Sequence, residues 1–272
     1  MSLVELHAGG ASVALHDEGE GEPVVLVHSS GMSSRQFKLL RAMLSDWRVL
    51  SPDLIGYGDS APWTDPGPFD IRRDVEVVLA AARHAGGPVH LVGHSYGGLL
   101  CLRAARELGP SLRSLALYEP VAFGVLRDLD DAAVTSDLGR LGEELFTPGM
   151  DGTEAWMSRF VGYWQGEGAW AAMPLPVRTR FSAAAHKTFH EVDAVRLDML
   201  PASTYAGIQA PTLLLQGAET TITEARVCAL LEQALPAATL RLVDGAAHLG
   251  PLTHAREVNA AIFAHLEAHR AG

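Results

Sequence analysis

Residues 89–98 read V-H-L-V-G-H-S-Y-G-G, and this stretch decides the fold. The short apolar run at 89–92 predicts a strand, the pattern Gly-x-Ser-x-Gly follows directly, and residues 97–108 have the pattern of a helix. Glycines at 93 and 97 permit a turn too tight for larger side chains, so the turn lifts the Ser95 hydroxyl clear of the sheet. The alternative interpretation of this motif is an ordinary glycine-rich turn, but the flanking strand and helix favour an exposed nucleophile.

Strands and helices alternate along most of the chain on both sides of this turn. Continuous apolar runs are typical of strands buried on both faces of a parallel sheet. The pair Gly9-Gly10 predicts a hairpin between the first two runs. The sequence therefore predicts an α/β fold, with a mostly parallel eight-stranded sheet covered by helices. The predicted strands are 3–7, 12–16, 24–27, 47–51, 89–92, 115–118, 213–215 and 240–243, and the predicted helices are 34–45, 70–85, 97–108, 223–234 and 254–268.

Residues 121–200 interrupt this alternation. They contain no convincing strand, and they have the pattern of helices broken by proline and glycine. Trp156, Phe160 and Trp164 recur every four residues, so they share one face of a helix. These aromatic residues either form the core of an inserted helical subdomain or wall a pocket, and different residues can serve each purpose. The sequence thus predicts a core domain of 1–120 and 201–272, with 121–200 inserted into it.

Composition and charge exclude several classes of protein. The chain has 272 residues and a net charge of −11, and no stripe of Lys and Arg is present to neutralise phosphates. Two cysteines are too few for a disulfide framework. No apolar stretch reaches the roughly 18 residues of a membrane span, and the N-terminus lacks the features of a secretion signal. We therefore expect a soluble, cytoplasmic protein that binds neither nucleic acid nor membranes. The oligomeric state stays open between monomer and homodimer.

A serine nucleophile needs an adjacent base, and histidine is the usual one. His248 follows the last predicted strand, in the stretch G-A-A-H-L-G-P. Loops at the carboxyl ends of parallel strands open on the same edge of the sheet, which is where Ser95 is expected. His254 is a more distant second candidate. We therefore predict that His248 is the base.

These motifs together resemble the α/β-hydrolase superfamily, in which a serine, an acid and a histidine follow one another along the chain. The resemblance implies that residues 121–200 are the helical cap of that family. It also implies that the chain is a serine hydrolase. The resemblance rests on residues 27–31 (V-H-S-S-G), 53–60 (D-L-I-G-Y-G-D-S), Ser95 and His248. The resemblance extends over residues 23–118 and 211–268.

The resemblance also assigns the oxyanion hole, to the backbone N–H groups of Ser30 and Tyr96. The family often has glycine after the histidine that corresponds to His28, whereas this chain has Ser29. We expect His28 itself to be a structural hydrogen-bonding residue. The predicted pocket residues are Ser29, Trp156, Phe160 and Trp164.

The acid of the triad departs from the family pattern. Many members have Asp three residues after the glycine that ends the seventh strand, but this chain has Thr220 at that position. Two carboxylates can replace it. Glu119 directly follows the sixth strand, and Glu219 precedes Thr220 by one residue. We favour Glu119 because its place at a strand end can reach His248 from the neighbouring strand.

The predicted activity is hydrolysis of a small or medium, largely apolar ester or amide through an acyl-enzyme. Related chemistry on the same triad is the alternative: carbon–carbon bond hydrolysis, a lyase reaction or perhydrolysis. A non-catalytic ligand-binding member of the family is a third possibility. No cofactor is expected, because no G-x-G-x-x-G opens the first strand–helix unit. No metal is expected either, because His186 and His190 have no third ligand in the sequence.

Overall fold

The computed structural model describes residues 2–127, 129–147 and 149–271. Within these residues, eight strands form one sheet, which confirms the predicted fold class. Each predicted strand is present, extended by a few residues at its ends. The strands are β1 (Ser2–Ala8), β2 (Ala11–Glu18), β3 (Glu22–Val27), β4 (Trp47–Pro52), β5 (Val89–His94), β6 (Leu112–Tyr118), β7 (Thr212–Gly217) and β8 (Ala238–Val243).

The strand order explains where a site can form. The order is β1-β2-β4-β3-β5-β6-β7-β8, with β1 and β2 antiparallel to their neighbours and the other pairs parallel. The carboxyl ends of β3, β5, β6, β7 and β8 therefore lie at one edge of the sheet. Loops that follow these strands meet at that edge.

Helices cover both faces of the sheet. One face is covered by α1 (Lys38–Met43) and α11 (Ala255–Ala268), and the other by α2 (Ile71–Ala85), α3 (Tyr96–Leu108) and α9 (Ile222–Ala234). The predicted helix 34–45 is a single 3₁₀ turn at Ser34–Phe37 that leads into the shorter α1. A further short helix, α10 (Gly250–Thr253), precedes α11.

The segment between β6 and β7 is helical, as the sequence predicts. It contains α4 (Ala132–Leu145), α5 (Glu154–Gln165), α6 (Ala169–Ala172), α7 (Leu175–Ala183) and α8 (Ala185–Arg196). The division into a core and a cap remains a prediction. Met1, Asp128, Pro148 and Gly272, which that division includes, lie outside the described residues.

None of the helices in the described ranges has both the length and the apolar composition that crossing a membrane requires.

Candidate active site

The turn after β5 holds Ser95 in a strained backbone conformation. Its φ is 56°, in the left-handed region that side chains other than glycine rarely adopt. The backbone around it is crowded, since a Cβ at Gly97 would lie 2.2 Å from the Val27 carbonyl oxygen. The Ser95 N–H donates to the Tyr118 carbonyl oxygen at 2.9 Å and ties the turn to β6. The tight turn inferred from the glycine spacing is therefore present, and the serine lies at the carboxyl edge of the sheet.

His248 bridges Ser95 and Glu119 through its two ring nitrogens. Nε2 lies 2.8 Å from Ser95 Oγ, and Nδ1 lies 2.7 Å from Glu119 Oε2. The imidazole is 3% exposed and the carboxylate is fully buried. With Nδ1–H donating to the carboxylate, Nε2 is the acceptor for the serine proton. Three side chains from three separate strand ends thus form one hydrogen-bonded chain.

Glu119 is held by backbone geometry as well as by hydrogen bonds. Its φ is 42°, and with Ser95 it is one of two non-glycine residues with positive φ in the described ranges. Its carboxylate accepts the Gly217 N–H at 2.7 Å and the Thr220 hydroxyl at 2.9 Å. Thr220, which occupies the position where the family pattern has Asp, therefore serves Glu119 as a donor. The alternative acid, Glu219, is exposed, and within the described residues no hydrogen bond or ion pair joins its carboxylate to His248.

The two residues assigned to the oxyanion hole come from the turn after β5 and from the loop after β3. Tyr96 is the first residue of α3, so its N–H is one of the helix-terminal groups without an intrahelical acceptor. In the loop after β3, the Ser29 N–H already has an acceptor, because it donates to Gln36 Oε1 at 2.9 Å. The Ser30 N–H has no acceptor among the described residues. The Ser30 and Tyr96 N–H groups are therefore available, and their assignment to the oxyanion hole stays a prediction.

His28 has the surroundings of a structural residue. Its Nε2 accepts the Leu54 N–H at 3.0 Å, and Nδ1–H donates to the Ser29 carbonyl oxygen at 2.8 Å. The ring is fully buried, and this burial lowers the pKa of the imidazole. His28 therefore fixes the loop that contains Ser29 and Ser30.

Two small cavities, of about 30 and 20 Å³, meet at Ser95. Ser30, Phe160 and Trp164 border both of them, and Ser29 borders the larger. Trp156 borders neither, which corrects the prediction that it belongs to the pocket. It lies two helical turns before Trp164 in α5 and is fully buried behind Phe160, with the ring centroids 5.2 Å apart. The remaining residues around the larger cavity are Met32, Val161, Gln165, Met173, Phe181, His248 and Leu249, and those around the smaller are Val121, Phe123, Leu141, Val192 and Val195.

Trp164 has a closer relation to the site than its helical spacing indicates. Its ring stacks on the His248 imidazole, with centroids 3.8 Å apart and planes at 20°.

A second feature that sequence reasoning missed is a chain of hydrogen bonds beneath the site. Gln36 Nε2 donates to His94 Nδ1 at 2.9 Å, and His94 Nε2–H donates to the His248 carbonyl oxygen at 2.9 Å. Only the position of His94 inside the Gly-x-Ser-x-Gly motif could have suggested it.

The described residues contain one group of side chains with the spacing of a metal site, namely His16, Asp53 and Asp59. The Asp53 carboxylate accepts N–H groups from Ser34 at 2.7 Å and from Asp59 at 2.8 Å. Both of its oxygens therefore already accept hydrogen bonds, one from within the predicted structured loop 53–60 and one from Ser34 outside it. The absence of a metal remains a prediction.

Known proteins that are similar to this chain include a dienoate hydrolase, a lipase and a hydrolase of solved structure. The chain is 35% identical to 2-hydroxy-6-oxo-2,4-heptadienoate hydrolase of Pseudomonas putida over 136 residues, which is 46% of this chain and 46% of that protein. The matched region thus spans about half of that relative. Lipase 1 of Psychrobacter immobilis is 24% identical over 271 residues, which is 93% of this chain and 80% of the lipase.

A solved hydrolase structure from Pseudomonas aeruginosa has a TM-score of 0.75 and 26% identity, and the match covers 97% of this chain and 98% of that chain. The model of the alpha/beta hydrolase family matches residues 24–261, which is most of the chain. We conclude that the chain belongs to the alpha/beta hydrolase family and is a hydrolase.

Proposed function

We propose that the chain hydrolyses small or medium, largely apolar carboxylic esters through an acyl-enzyme on Ser95. The observation that carries this proposal is the unbroken hydrogen-bond chain from Ser95 through His248 to Glu119, with links of 2.8 and 2.7 Å. A base within hydrogen-bond distance of the serine, oriented by a buried carboxylate, is the arrangement that acyl transfer requires.

Each group has a defined part in the reaction. His248 Nε2 takes the Ser95 proton while the oxygen forms a bond to the substrate carbonyl carbon. The resulting oxyanion accepts hydrogen bonds from the Ser30 and Tyr96 N–H groups, and Glu119 stabilises the imidazolium. The imidazolium then protonates the departing alkoxide as the carbon–oxygen bond breaks. Water, activated by the same base, attacks the acyl-enzyme and releases the acid.

The substrate class follows from the two cavities that meet at Ser95. The leaving group must lie beside His248, because it receives its proton from Nε2, and only the larger cavity borders His248. The smaller cavity is then the site for the acyl group. Its walls are aliphatic and aromatic apart from the two serines, without a charged side chain among the residues that border it. An apolar acyl chain suits such walls, and an amide with the same acyl group is a second substrate.

Carbon–carbon bond hydrolysis is the second candidate function. It is favoured by the similarity to 2-hydroxy-6-oxo-2,4-heptadienoate hydrolase, at 35% identity over half of the chain. A site for such an acidic substrate needs a cationic anchor for the carboxylate. The described side chains around the smaller cavity include no cation, and their polar groups are the Ser30 and Ser95 hydroxyls and the Trp164 indole N–H, so we rank ester hydrolysis first.

The remaining assignments are proposals about the whole molecule. Helices α4 to α8 act as a cap above the serine, since α5 and α8 supply cavity walls.

Cys101 and Cys228 are both buried free thiols, which supports a reducing, cytoplasmic location. Cell fractionation followed by immunodetection tests the location. The partner is a small-molecule substrate, and light scattering decides between monomer and homodimer.

A fluorophosphonate probe tests the central proposal. Purified protein is incubated with the probe, and the modified peptide is identified by mass spectrometry, with Ser95→Ala as the control. We expect labelling at Ser95 and turnover of p-nitrophenyl esters that rises and then falls with acyl chain length. Folded protein that is neither labelled at Ser95 nor active on the ester series would rule out the serine hydrolase mechanism. A non-catalytic binding protein would give that result.

A further inference from the structure

Three charged side chains are buried together beside the proposed oxyanion hole. Lys187 Nζ lies 3.0 Å from Asp74 Oδ2 and 2.6 Å from Glu191 Oε2. The lysine side chain is 2% exposed, and both carboxylates are fully buried. Asp74 belongs to the core helix α2, whereas Lys187 and Glu191 lie one turn apart on α8. The cluster therefore joins the core to the segment inserted between β6 and β7.

The cluster is tied to both residues assigned to the oxyanion hole. The Tyr96 hydroxyl donates to Asp74 Oδ2 at 3.0 Å. The Ser30 hydroxyl donates to Glu191 Oε1. The side chain of each residue is thus fixed by one carboxylate of the cluster, while its backbone N–H has no acceptor among the described residues.

The other contacts of the cluster hold its geometry. The Tyr57 hydroxyl donates to Glu191 Oε2 at 3.0 Å and lies 3.0 Å from the Thr188 hydroxyl. The Lys187 ammonium lies 3.8 Å from the centroid of the Phe69 ring. Burial raises the pKa of the Glu191 carboxyl, and the Lys187 ammonium opposes that rise. Since buried ion pairs recover little net stability after desolvation, stability alone is a weak reason for three such charges here.

We propose that Asp74, Lys187 and Glu191 are positioning residues for the oxyanion hole, and that they make its geometry depend on the docking of α8 against the core. When α8 is docked, Glu191 anchors the loop that contains Ser30, and Asp74 anchors the start of α3. When α8 moves away, Ser30 loses its hydrogen bond to Glu191, and the Ser30 and Tyr96 N–H groups no longer converge on one oxyanion. This inference rests on the proposed ester hydrolysis.

Glu191→Gln and Tyr96→Phe test the proposal, because each weakens one anchor and leaves both backbone N–H groups in place. We expect kcat for p-nitrophenyl butyrate to fall by about tenfold or more, a part of the 10²–10³-fold effect of losing a complete oxyanion donor. KM should change by less than about threefold. The affinity for a trifluoromethyl ketone, whose serine adduct carries the oxyanion, should fall by the same factor as kcat/KM.

A third variant, Ser30→Ala, supplies a coupling test. If Ser30 and Glu191 act through one hydrogen bond, the double variant should be no slower than the slower single variant. The matched control is Asp17→Asn, because Asp17 forms an ion pair within the core sheet, 2.7 Å from Arg48, that involves neither α8 nor the residues assigned to the oxyanion hole. Its thermal stability should fall while kcat stays within about twofold of the wild-type value.

The outcomes separate this inference from the proposed function. An inactive, unlabelled wild-type protein would overturn both. An active wild-type protein whose folded Glu191→Gln and Tyr96→Phe variants keep kcat and inhibitor affinity would overturn the positioning role alone. Additive losses in Ser30→Ala and Glu191→Gln, or an equal loss of kcat in Asp17→Asn, would also overturn it. If Glu191→Gln fails to fold, Tyr96→Phe decides the question, because it removes a single hydroxyl group.

Discussion

Replacing Glu119 by Gln should inactivate the enzyme while leaving its fold intact. The Glu119 carboxylate accepts hydrogen bonds from three donors: the Gly217 N–H, the Thr220 hydroxyl and His248 Nδ1–H. A glutamine of the same shape has only one acceptor oxygen. If that oxygen stays on Gly217, the amide NH₂ faces His248 and must donate to Nδ1. The imidazole then holds its proton on Nε2, and it can no longer take the proton of the serine.

The expected loss can be estimated from this change of tautomer. The equivalent change from acid to amide in the Ser-His-Asp proteases lowers kcat by about 10⁴. At about 1.36 kcal/mol per factor of ten, this corresponds to an activation barrier higher by about 5 kcal/mol. The stability cost should be smaller, about 1–3 kcal/mol, because the variant leaves at most one buried donor badly paired.

Glu219→Gln is the matched control, since it makes the same chemical change at the other candidate acid. Steady-state hydrolysis of p-nitrophenyl butyrate and the rate of fluorophosphonate labelling are measured for both variants, with thermal unfolding as the test of folding. Glu219→Gln should stay within about twofold of wild type. A folded Glu119→Gln variant with more than a tenth of wild-type kcat would refute the reasoning, and so would a large loss in Glu219→Gln alone.

Three further variants test the surroundings of the triad. Trp164→Ala removes the ring stacked on His248, so the preferred acyl or alcohol chain should lengthen at a stability cost of about 3–5 kcal/mol; an unchanged chain-length profile would contradict this. Burial lowers the pKa of His94 well below its usual value, and Gln36→Glu should raise it by placing a carboxylate beside Nδ1, as followed by ¹⁵N NMR of the ring. Acidification should destabilise the wild-type protein below about pH 6.5, where the unfolded chain binds a proton that the buried His94 rejects, and less steeply in Gln36→Glu. Gly97→Ala should prevent folding or displace Ser95, since its Cβ would lie 2.2 Å from a backbone oxygen of β3; a stable, active variant would show that the turn can relax.

The sheet could be predicted because its strands are nearly pure apolar runs with glycine, proline or polar residues at their ends. Such runs carry their own boundaries in the sequence. The candidates Ser95 and His248 could be identified for a related reason. Ser95 directly follows β5 and His248 lies five residues after the end of β8, and parallel strands place their carboxyl ends together. The predicted helix at 34–45 is shorter in the structure because its first turn has the 3₁₀ form.

Side-chain contacts between the segment inserted after β6 and the rest of the chain could not be predicted from periodicity. Trp156, Phe160 and Trp164 share one face of α5, but that face extends beyond the cavity, and only position along the helix axis decides which ring reaches the serine. Asp74 and Lys187 lie 113 residues apart, and charged residues on helices usually face solvent. Their burial depends on how the inserted helices dock, which no local pattern contains.

The acid shows how a departure from a family pattern can be compensated within the same site. A carboxylate after β7 would reach His248 from one side, whereas Glu119 reaches it from the end of β6. The left-handed backbone at Glu119 turns the side chain back toward the Gly217 N–H, and Thr220 completes the shell with its hydroxyl. An aspartate at 220 would place a second negative charge against this buried carboxylate and disfavour its ionised form. Threonine at 220 and glutamate at 119 are therefore complementary, since the Thr220 hydroxyl donates a hydrogen bond to the carboxylate that we propose as the acid.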